Sequence, residues 1–410
     1  MYGSWKTDII NDIIPGKAAC AFCRQPAEGN MTEDAKLAAI RAEIDQTDER
    51  IAALLEQRLN LIEQAAGRKE QLGLPVRDEE IEQKKLLRMA AQAPDAFRKQ
   101  CTDEIFRQLM AVSRKDQYQR RGGACRGIGA RDFTRIPELA REGKTVVFQG
   151  VEGAYSQQAM QQYFGEQVPN FHVPSFAQAM QAVSEGDADY AVLPIENSSA
   201  GQVGDVYDLL LRFDNTIVGE TYLPVRHCLL GTAGASELSI RRVFSHPQGL
   251  MQCGRYLNSH PDWQQISQPN TALAARRVVE DASPEEAAVA SALCAKQYGL
   301  RILREAINDN PHNTTRFIIV SRNRQYTESA AKVSICFEIV HEVGSLYNAL
   351  SHIIYNGLNM NKIESRPIPD RPFEYRFFVD FEGNLSQAGV ENALTGLQSE
   401  VRMLRILGNY

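Results

Sequence analysis

Between about residues 33 and 72 the apolar residues recur with the period of an amphipathic helix. Arg41, Ile44, Asp48, Ile51, Leu55, Arg58, Ile62, Ala65 and Lys69 step alternately by three and four, which makes one heptad seam, the face that should meet partner helices. Gly73-Leu74-Pro75 then forces a turn, and helical patterns follow over about 78–92 and 94–119. Nothing β-like interrupts them, so residues 31–120 read as an all-α three-helix unit.

After residue 145 the pattern changes. Short apolar runs (TVVFQ, YAVLPI, TIVGE, RRVFS, RFIIVS) alternate with helical stretches at 174–186, 202–213, 270–280 and 285–298, the rhythm of an α/β domain over 145–322. A polar break covers 323–331. Residues 332–410 then read strand 332–340, helix 345–356, strand 359–366, strand 374–382, helix 387–399 and strand 401–407, the ferredoxin-like βαββαβ order. The mixed pattern of strand 374–382 predicts one face on helices and the other partly wet. Between the first two domains, Gly and Pro break every period over 121–144. That segment is expected to be a solvated linker and not a nucleic-acid arm, since no aromatic residues are interleaved for base stacking.

Composition narrows the function. Of 410 residues 43% are hydrophobic and 23% charged, enough for a core in each domain. A net charge of −6 argues against wholesale binding to nucleic acid or anionic membrane. No stretch approaches the roughly 18 uninterrupted apolar residues of a membrane span. Eight scattered Cys do not make a disulfide framework, and a reducing cytoplasm is the default. Residues 1–30 read as a loose extension, with Met31 as an alternative start. Cys20 and Cys23 have the spacing of a metal or redox clip, but a zinc site needs about four ligands and the next Cys is Cys101, the first His His172. No metal or cofactor is expected.

The three cations on the helical seam suggest an anionic ligand, because an unpaired buried cation costs several kcal/mol; ion pairs within the chain, with Asp48 on the same seam, are the alternative. Arg41 and Arg58 lie about 25 Å apart along a helix. One small pocket cannot receive both from a single straight helix, so if both serve one ligand, Arg41 comes from a second copy of the chain. Ser113 and Gln117, at i and i+4, share a face with Phe106 and Met110 and point two neutral polar groups inward.

Through IRAEIDQTDERIAALLEQR, GRKEQLGLPVRDEEIE and FRQLMAVSRKDQ, residues 35–117 resemble the all-helical chorismate mutase family. The resemblance implies that Arg41, from the partner chain, and Arg58 hold the carboxylates of chorismate. It implies that Lys69 and Gln117 bracket the breaking ether, that Asp78 and Glu82 bind the ring hydroxyl, and that Ser113 binds a carboxylate. A Claisen rearrangement fits such a set, since it needs a compact conformer held in place and charge on the ether oxygen stabilised. Glu82 is expected to act protonated, which would make activity pH-dependent. Ile81 departs from the family, whose better-known members carry a basic residue there.

In the α/β domain the notable polar groups sit at strand ends: Gly150 to Ser156, Glu196-Asn197-Ser198-Ser199, and Ser245-His246-Pro247-Gln248. Open α/β sheets bind ligands at such crevices, beside helix N-termini that attract carboxylates. Gly150 and Gly153 lack the dinucleotide spacing, and His246 before Pro reads first as a loop residue. The runs PIENS (194–198), SHPQ (245–248) and TTRF (314–317) nonetheless make 145–322 closely similar to the prephenate dehydratase family. That resemblance implies two α/β lobes around a cleft, like the two-lobed solute-binding proteins. It implies Thr315 as a catalytic residue, and Glu196, Asn197, Ser245, Gln248 and Arg316 as lining or binding residues. Loss of the ring hydroxyl needs hydrogen bonding or proton donation, for which a Thr hydroxyl alone is a poor acid. The proton source stays open between Glu196 and His246.

Gly344-Ser345-Leu346 and Glu364-Ser365-Arg366-Pro367 place 333–410 in resemblance to the ACT family of small-molecule sensors, with Ser345 where close members carry Ala. The implied role is a phenylalanine site where two copies pair. The whole order resembles the bifunctional chorismate mutase–prephenate dehydratase (P-protein) family: chorismate and prephenate as substrates, phenylalanine as inhibitor, and a homodimer or higher even oligomer. Two rivals are a non-catalytic amino-acid receptor, which lacks a DNA-binding or secretion element here, and a dehydratase with a decayed mutase. Intact Arg41, Arg58, Lys69 and Gln117 speak against decay.

Overall fold

The computed structural model describes residues 33–121, 132–369 and 371–410. The 1–30 extension, with the Cys20/Cys23 spacing, lies outside the described residues. Residues up to Gln64 form one compact unit and Ala65–Tyr410 a second. No described helix is long and apolar enough to cross a membrane.

Helix α1 (Glu33–Gln71) is unbroken, as its seam predicts. In the first unit Ile44 and Ile51 of that seam are exposed, together with Leu37, Ile40, Leu54 and Leu61. In the second unit Lys69 donates to the Val76 carbonyl at 2.6 Å and closes the turn after the helix. Helices α2 (Glu79–Ala90) and α3 (Ala96–Arg121) then pack together, burying Leu86, Ala90, Met110 and Ala111.

The expected linker is in part structured. β1 (Thr134–Ile136) pairs in parallel with β13 (Gln325–Thr327), itself in the supposed polar break. Phe133 and Leu139 are buried, and apolar anchors of this kind overrule the breaker-rich composition. Residues 122–131 lie outside the described set.

The α/β region has two lobes. The first comprises β2 (Val146–Gln149), α4 (Tyr155–Phe164), β3 (Asn170–Val173), α5 (Phe176–Glu185), β4 (Tyr190–Asn197), β5 (Gly201–Gln202), α6 (Gly204–Arg212), β6 (Thr216–Pro224) and the returning β12 (Thr314–Ser321). Its strands run in the order β6-β12-β4-β2-β3, with β5 on β4. The second comprises β7 (Cys228–Gly231), β8 (Arg242–Ser245), α7 (Pro247–Gln252), α8 (Gly254–Asn258), β9 (Gln264–Ser267), α9 (Thr271–Asp281), β10 (Glu286–Ala290), α10 (Ala292–Tyr298) and β11 (Arg301–Arg304), in the strand order β11-β7-β10-β8-β9. The chain crosses between lobes at 225–227 and returns at 305–313. The crossings are tied together where Val225 N–H donates to Asn313 O (2.8 Å) and Ile307 N–H to His227 O (2.9 Å). The helix expected over 285–298 is a strand followed by a helix. β10 lies between β7 and β8 with every residue buried, so small Ala side chains that suit a helix fill a tight central strand instead.

The C-terminal module is β14 (Lys332–Glu338), α11 (Ser345–Tyr355), β15 (Met360–Ile368), β16 (Arg371–Glu382), α12 (Ala388–Glu400) and β17 (Met403–Asn409). The strand order β15-β16-β14-β17, antiparallel throughout, is the ferredoxin-like split βαβ that the sequence pattern predicts. One face packs Ile335, Phe337, Val379 and Phe381 on Ile353, Leu394 and Leu397. The other carries Cys336 and Phe378 into the core of the first lobe, against Tyr207 and Leu210 of α6. The expected wet face of 374–382 is therefore dry from Phe378 to Phe381.

Candidate functional site

In the helical part of the second unit, α3 carries Ser113 and Gln117 one turn apart, both buried. Ser113 Oγ donates to Leu109 O (2.5 Å) and Gln117 Nε2 to Ser113 O (3.2 Å), while Gln117 Oε1 has no hydrogen-bond partner among the described residues. A buried amide with one unused end is poised for a ligand. Asp78 does local work: it caps α2 by accepting from Ile81 N–H at 3.1 Å. Both carboxylate oxygens of Glu82 accept from Arg114 Nη1, at 2.7 and 2.8 Å, so the acid is paired with a cation. In the first unit Arg41 is exposed and Arg58 half-buried, and burial lowers the Arg58 guanidinium from its ordinary value.

Arg114 is a residue the sequence reading missed. Its Nε donates to Glu400 Oε1 at 2.7 Å, reaching from α3 to the end of α12. Burial pushes the Glu400 carboxyl up, but the His352 hydrogen bond and the charges of Arg114 and Arg77 outweigh it and bring it down to about 2. Beside this cluster is a cavity of about 810 Å³ whose walls include Glu82, Arg114 and Glu400 together with Ser345 and Asn348 of the C-terminal module. One expected mutase residue, Glu82, and one expected effector residue, Ser345, thus line the same cavity.

In the first lobe β12 lies beside β4, with Thr315 opposite Asn197 and Arg316 opposite Glu196. Strand alternation sends the two members of each strand to opposite faces. On one face Asn197 Nδ2 donates to Thr315 Oγ1 at 2.8 Å. The amide orientation is fixed because Asn197 Oδ1 accepts from the N–H groups of Ser199 (3.0 Å) and Ala200 (2.8 Å). Thr315 Oγ1 is therefore the acceptor, and its own proton is free to be given onward. Thr315 is 8% exposed and lies immediately after the 305–313 crossing. Asn313, in that crossing, is 1% exposed with neither amide atom paired among the described residues, a second signal of polar ligand demand that the sequence did not single out.

The other face corrects two expectations. Arg316 does not join Thr315: it donates to Glu220 (2.7 Å), Asp380 (2.8 Å) and the Tyr410 hydroxyl (2.8 Å). Burial alone would lower this guanidinium, but Tyr410, Asp380 and Glu220 raise it. Glu196 accepts from Lys362 Nζ at 2.8 Å, with Arg316 Nη1 at 4.0 Å. Both are turned to the C-terminal module because it supplies their counter-charges.

In the second lobe Ser245 is also corrected. It is fully buried and gives its hydroxyl to Val289 O at 2.7 Å, a strand-to-strand tie and not a lining group. His246 caps α7, its Nδ1 accepting from Gln248 N–H at 3.2 Å, and burial lowers its basicity. A neutral imidazole in that tautomer offers only Nε2–H, as a hydrogen-bond donor. Gln248 is half-buried on the first turn of the same helix.

In the C-terminal module Gly344, at φ 83°, opens α11, with Ser345 and Leu346 half-buried behind it. The 364–367 motif splits by strand alternation. Ser365 and Pro367 are exposed, whereas Glu364 accepts from Gln202 and Arg366 holds Asp208 at 2.6 Å. The side chains of Glu364 and Arg366 thus serve the contact with the first lobe, against the expected shared effector role.

Residues 40–118 match the family model of chorismate mutase type II and residues 146–325 that of prephenate dehydratase. The bifunctional chorismate mutase/prephenate dehydratase of Escherichia coli strain K12 is 33% identical over 391 residues, covering 93% of this chain and 97% of the relative. A chloroplastic arogenate dehydratase/prephenate dehydratase 1 of Arabidopsis thaliana is 41% identical over 65% of this chain and 71% of the relative. A prephenate dehydratase from Arthrobacter aurescens, solved in complex with L-Phe, superposes with a TM-score of 0.61 at 31% identity, over 65% of this chain and 89% of its own.

Proposed function

Because the chain belongs to the family of bifunctional chorismate mutase/prephenate dehydratases, with both activities, we propose that its dehydratase step is centred on Thr315 and Asn197 and its mutase step on Lys69, Glu82, Ser113 and Gln117. Arg41 and Arg58 are the proposed carboxylate-binding cations. For the mutase, the carrying observation is the buried Gln117 amide with one unused end, beside Ser113. No covalent step is required of the protein there: the Lys69 ammonium as donor at the ether oxygen and a fixed conformer supply the acceleration, while the unused Gln117 oxygen accepts from a substrate hydroxyl.

For the dehydratase, the carrying observation is the Asn197–Thr315 hydrogen bond, which does not use the Thr315 proton. Prephenate loses its ring carboxylate as carbon dioxide and its ring hydroxyl as water, and in this reading Thr315 gives a hydrogen bond to that departing oxygen. The proton that completes the water comes from solvent in this reading, since Glu196 is drawn to Lys362 and burial lowers the basicity of His246. Gln248 remains a binding residue in this reading.

Phenylalanine inhibition through residues 332–410, read as an ACT module working as a dimer, is the regulatory part of the proposal. Its support is the split βαβ topology, the glycine turn at 344, and the relative solved with L-Phe. Following chorismate, prephenate and phenylpyruvate together, with and without phenylalanine, tests all three parts. A preparation that consumes chorismate but never forms phenylpyruvate would refute the dehydratase site.

A further inference from the structure

Ile81 precedes Glu82 where a basic residue would be expected, and it is 59% exposed, so it cannot steady the Glu82 carboxylate. Arg114 does so from a different helix. Its side chain is only 7% exposed, both Glu82 oxygens accept from its Nη1, and its Nε is held by Glu400, also 7% exposed. Glu400 ends α12 of the C-terminal module and is approached in turn by Arg77 Nη1 (3.9 Å) and His352 Nε2 (3.8 Å). A planar guanidinium gripped along two directions by carboxylates on two elements has little freedom to rotate. Arg114 also directly follows Ser113 on α3, so the same turn of helix carries a proposed substrate contact and the support of another.

We propose that Arg114 is a positioning residue for the mutase reaction, holding Glu82 toward the substrate's ring hydroxyl from a guanidinium that the C-terminal module anchors through Glu400. The inference deepens the proposed function and rests on Glu82 meeting that hydroxyl. Its consequence is that a residue some 286 positions downstream of Arg114 supports a reaction performed by the helical unit.

The experiment uses the full chain carrying Arg114→Met, Arg114→Lys, Glu400→Gln or Glu82→Gln. Chorismate consumption gives mutase kcat and KM, and phenylpyruvate formed from added prephenate gives the dehydratase rate of the same preparation. Arg114→Met should lower mutase kcat roughly 10- to 100-fold, the range for a misplaced group, with a smaller change in KM. Arg114→Lys should recover part of that loss, Glu400→Gln should show a smaller loss, and the dehydratase rate should hold in all. A mutase kcat for Arg114→Met within about twofold of the parent overturns the proposal, as does a parallel fall in both activities, which marks a merely structural residue. Should Arg114→Met fail to fold, parent-level mutase kcat in Glu400→Gln refutes the anchoring. Parent-level turnover in Glu82→Gln sinks the assignment of Glu82 itself, whereas a slow Glu82→Gln beside a normal Arg114→Met sinks the positioning alone.

Discussion

Asn197 donates to the Thr315 hydroxyl oxygen at 2.8 Å and cannot turn round, because the N–H groups of Ser199 and Ala200 hold its own oxygen. Each partner in this bond has a chain neighbour gripped by the C-terminal module: Glu196 by Lys362, and Arg316 by Asp380 and Tyr410. The proposed reacting face and the inter-module face are the two sides of one pair of strands.

Thr315→Ala removes the proposed donor to the leaving hydroxyl. Dehydratase kcat should fall about 10²-fold or more, in the range for loss of such a donor. Chorismate should still be converted, so prephenate should accumulate in a chromatographic time course. Phenylpyruvate formation at the parent rate would remove Thr315 from the mechanism.

Arg41 and Arg58 are separated by about 25 Å of helix, while Ile44 and Ile51 of the same seam are bare. A second copy would cover those residues and bring its own Arg41 to the first copy's Arg58. Arg41→Ala and Arg58→Ala should each lose mutase activity alone. Co-refolded, they should regain up to about a quarter of the parent rate per dimer, since mixed dimers rebuild one pocket of two. No recovery in a sample shown by mass spectrometry to contain mixed dimers would contradict the shared site.

The long seam over 33–72, the βαββαβ order and the strand-end clusters were legible because each is a local period or a run at a boundary. The pairings that decide which side chains do what were not. Arg114 and Glu400 lie on separate elements far apart in sequence, and nothing local marks them as partners. Strand 286–290 reads as helix because alanine favours one, and only its place between β7 and β8 reverses that. Thr315-Arg316 and Glu364-Ser365-Arg366-Pro367 read as unitary motifs, yet strand alternation divides each between two surfaces. The sequence carries the alternation, but it does not say which face the C-terminal module covers.

Glu400 makes acid stability a specific readout. Its carboxyl is held at about 2 against an ordinary 4.5, so the folded state favours the charged form. A group with a depressed folded value contributes stability that is complete above its unfolded value and is lost as the pH falls toward the folded one. The melting temperature should therefore drop between pH 4.5 and about 2, and Glu400→Gln should flatten that part of the profile while lowering stability at pH 7. Parallel melting curves for parent and variant across that window would show that Glu400 is not the group responsible.

Control should separate into sensing and transmission. Gly344 adopts φ 83°, and a side chain there is strained by about 1–3 kcal/mol even though open space surrounds it. Gly344→Val should therefore distort the turn and remove phenylalanine binding and inhibition together. Lys362 lies on the opposite, inward face of β15 from Ser365 and Pro367, where it holds Glu196 beside Asn197. A ligand shifts an equilibrium only by its differential affinity for two states, so an effector at the outward face must change how that strand seats on the first lobe. Lys362→Met removes the ammonium that Glu196 accepts from, without touching the outward face. Calorimetry should find phenylalanine bound to Lys362→Met but not to Gly344→Val, while the ratio of dehydratase rates with and without phenylalanine should approach one in both. If Lys362→Met stays as inhibitable as the parent, transmission runs through another contact, with Arg366–Asp208 and Arg316–Asp380 the next to break.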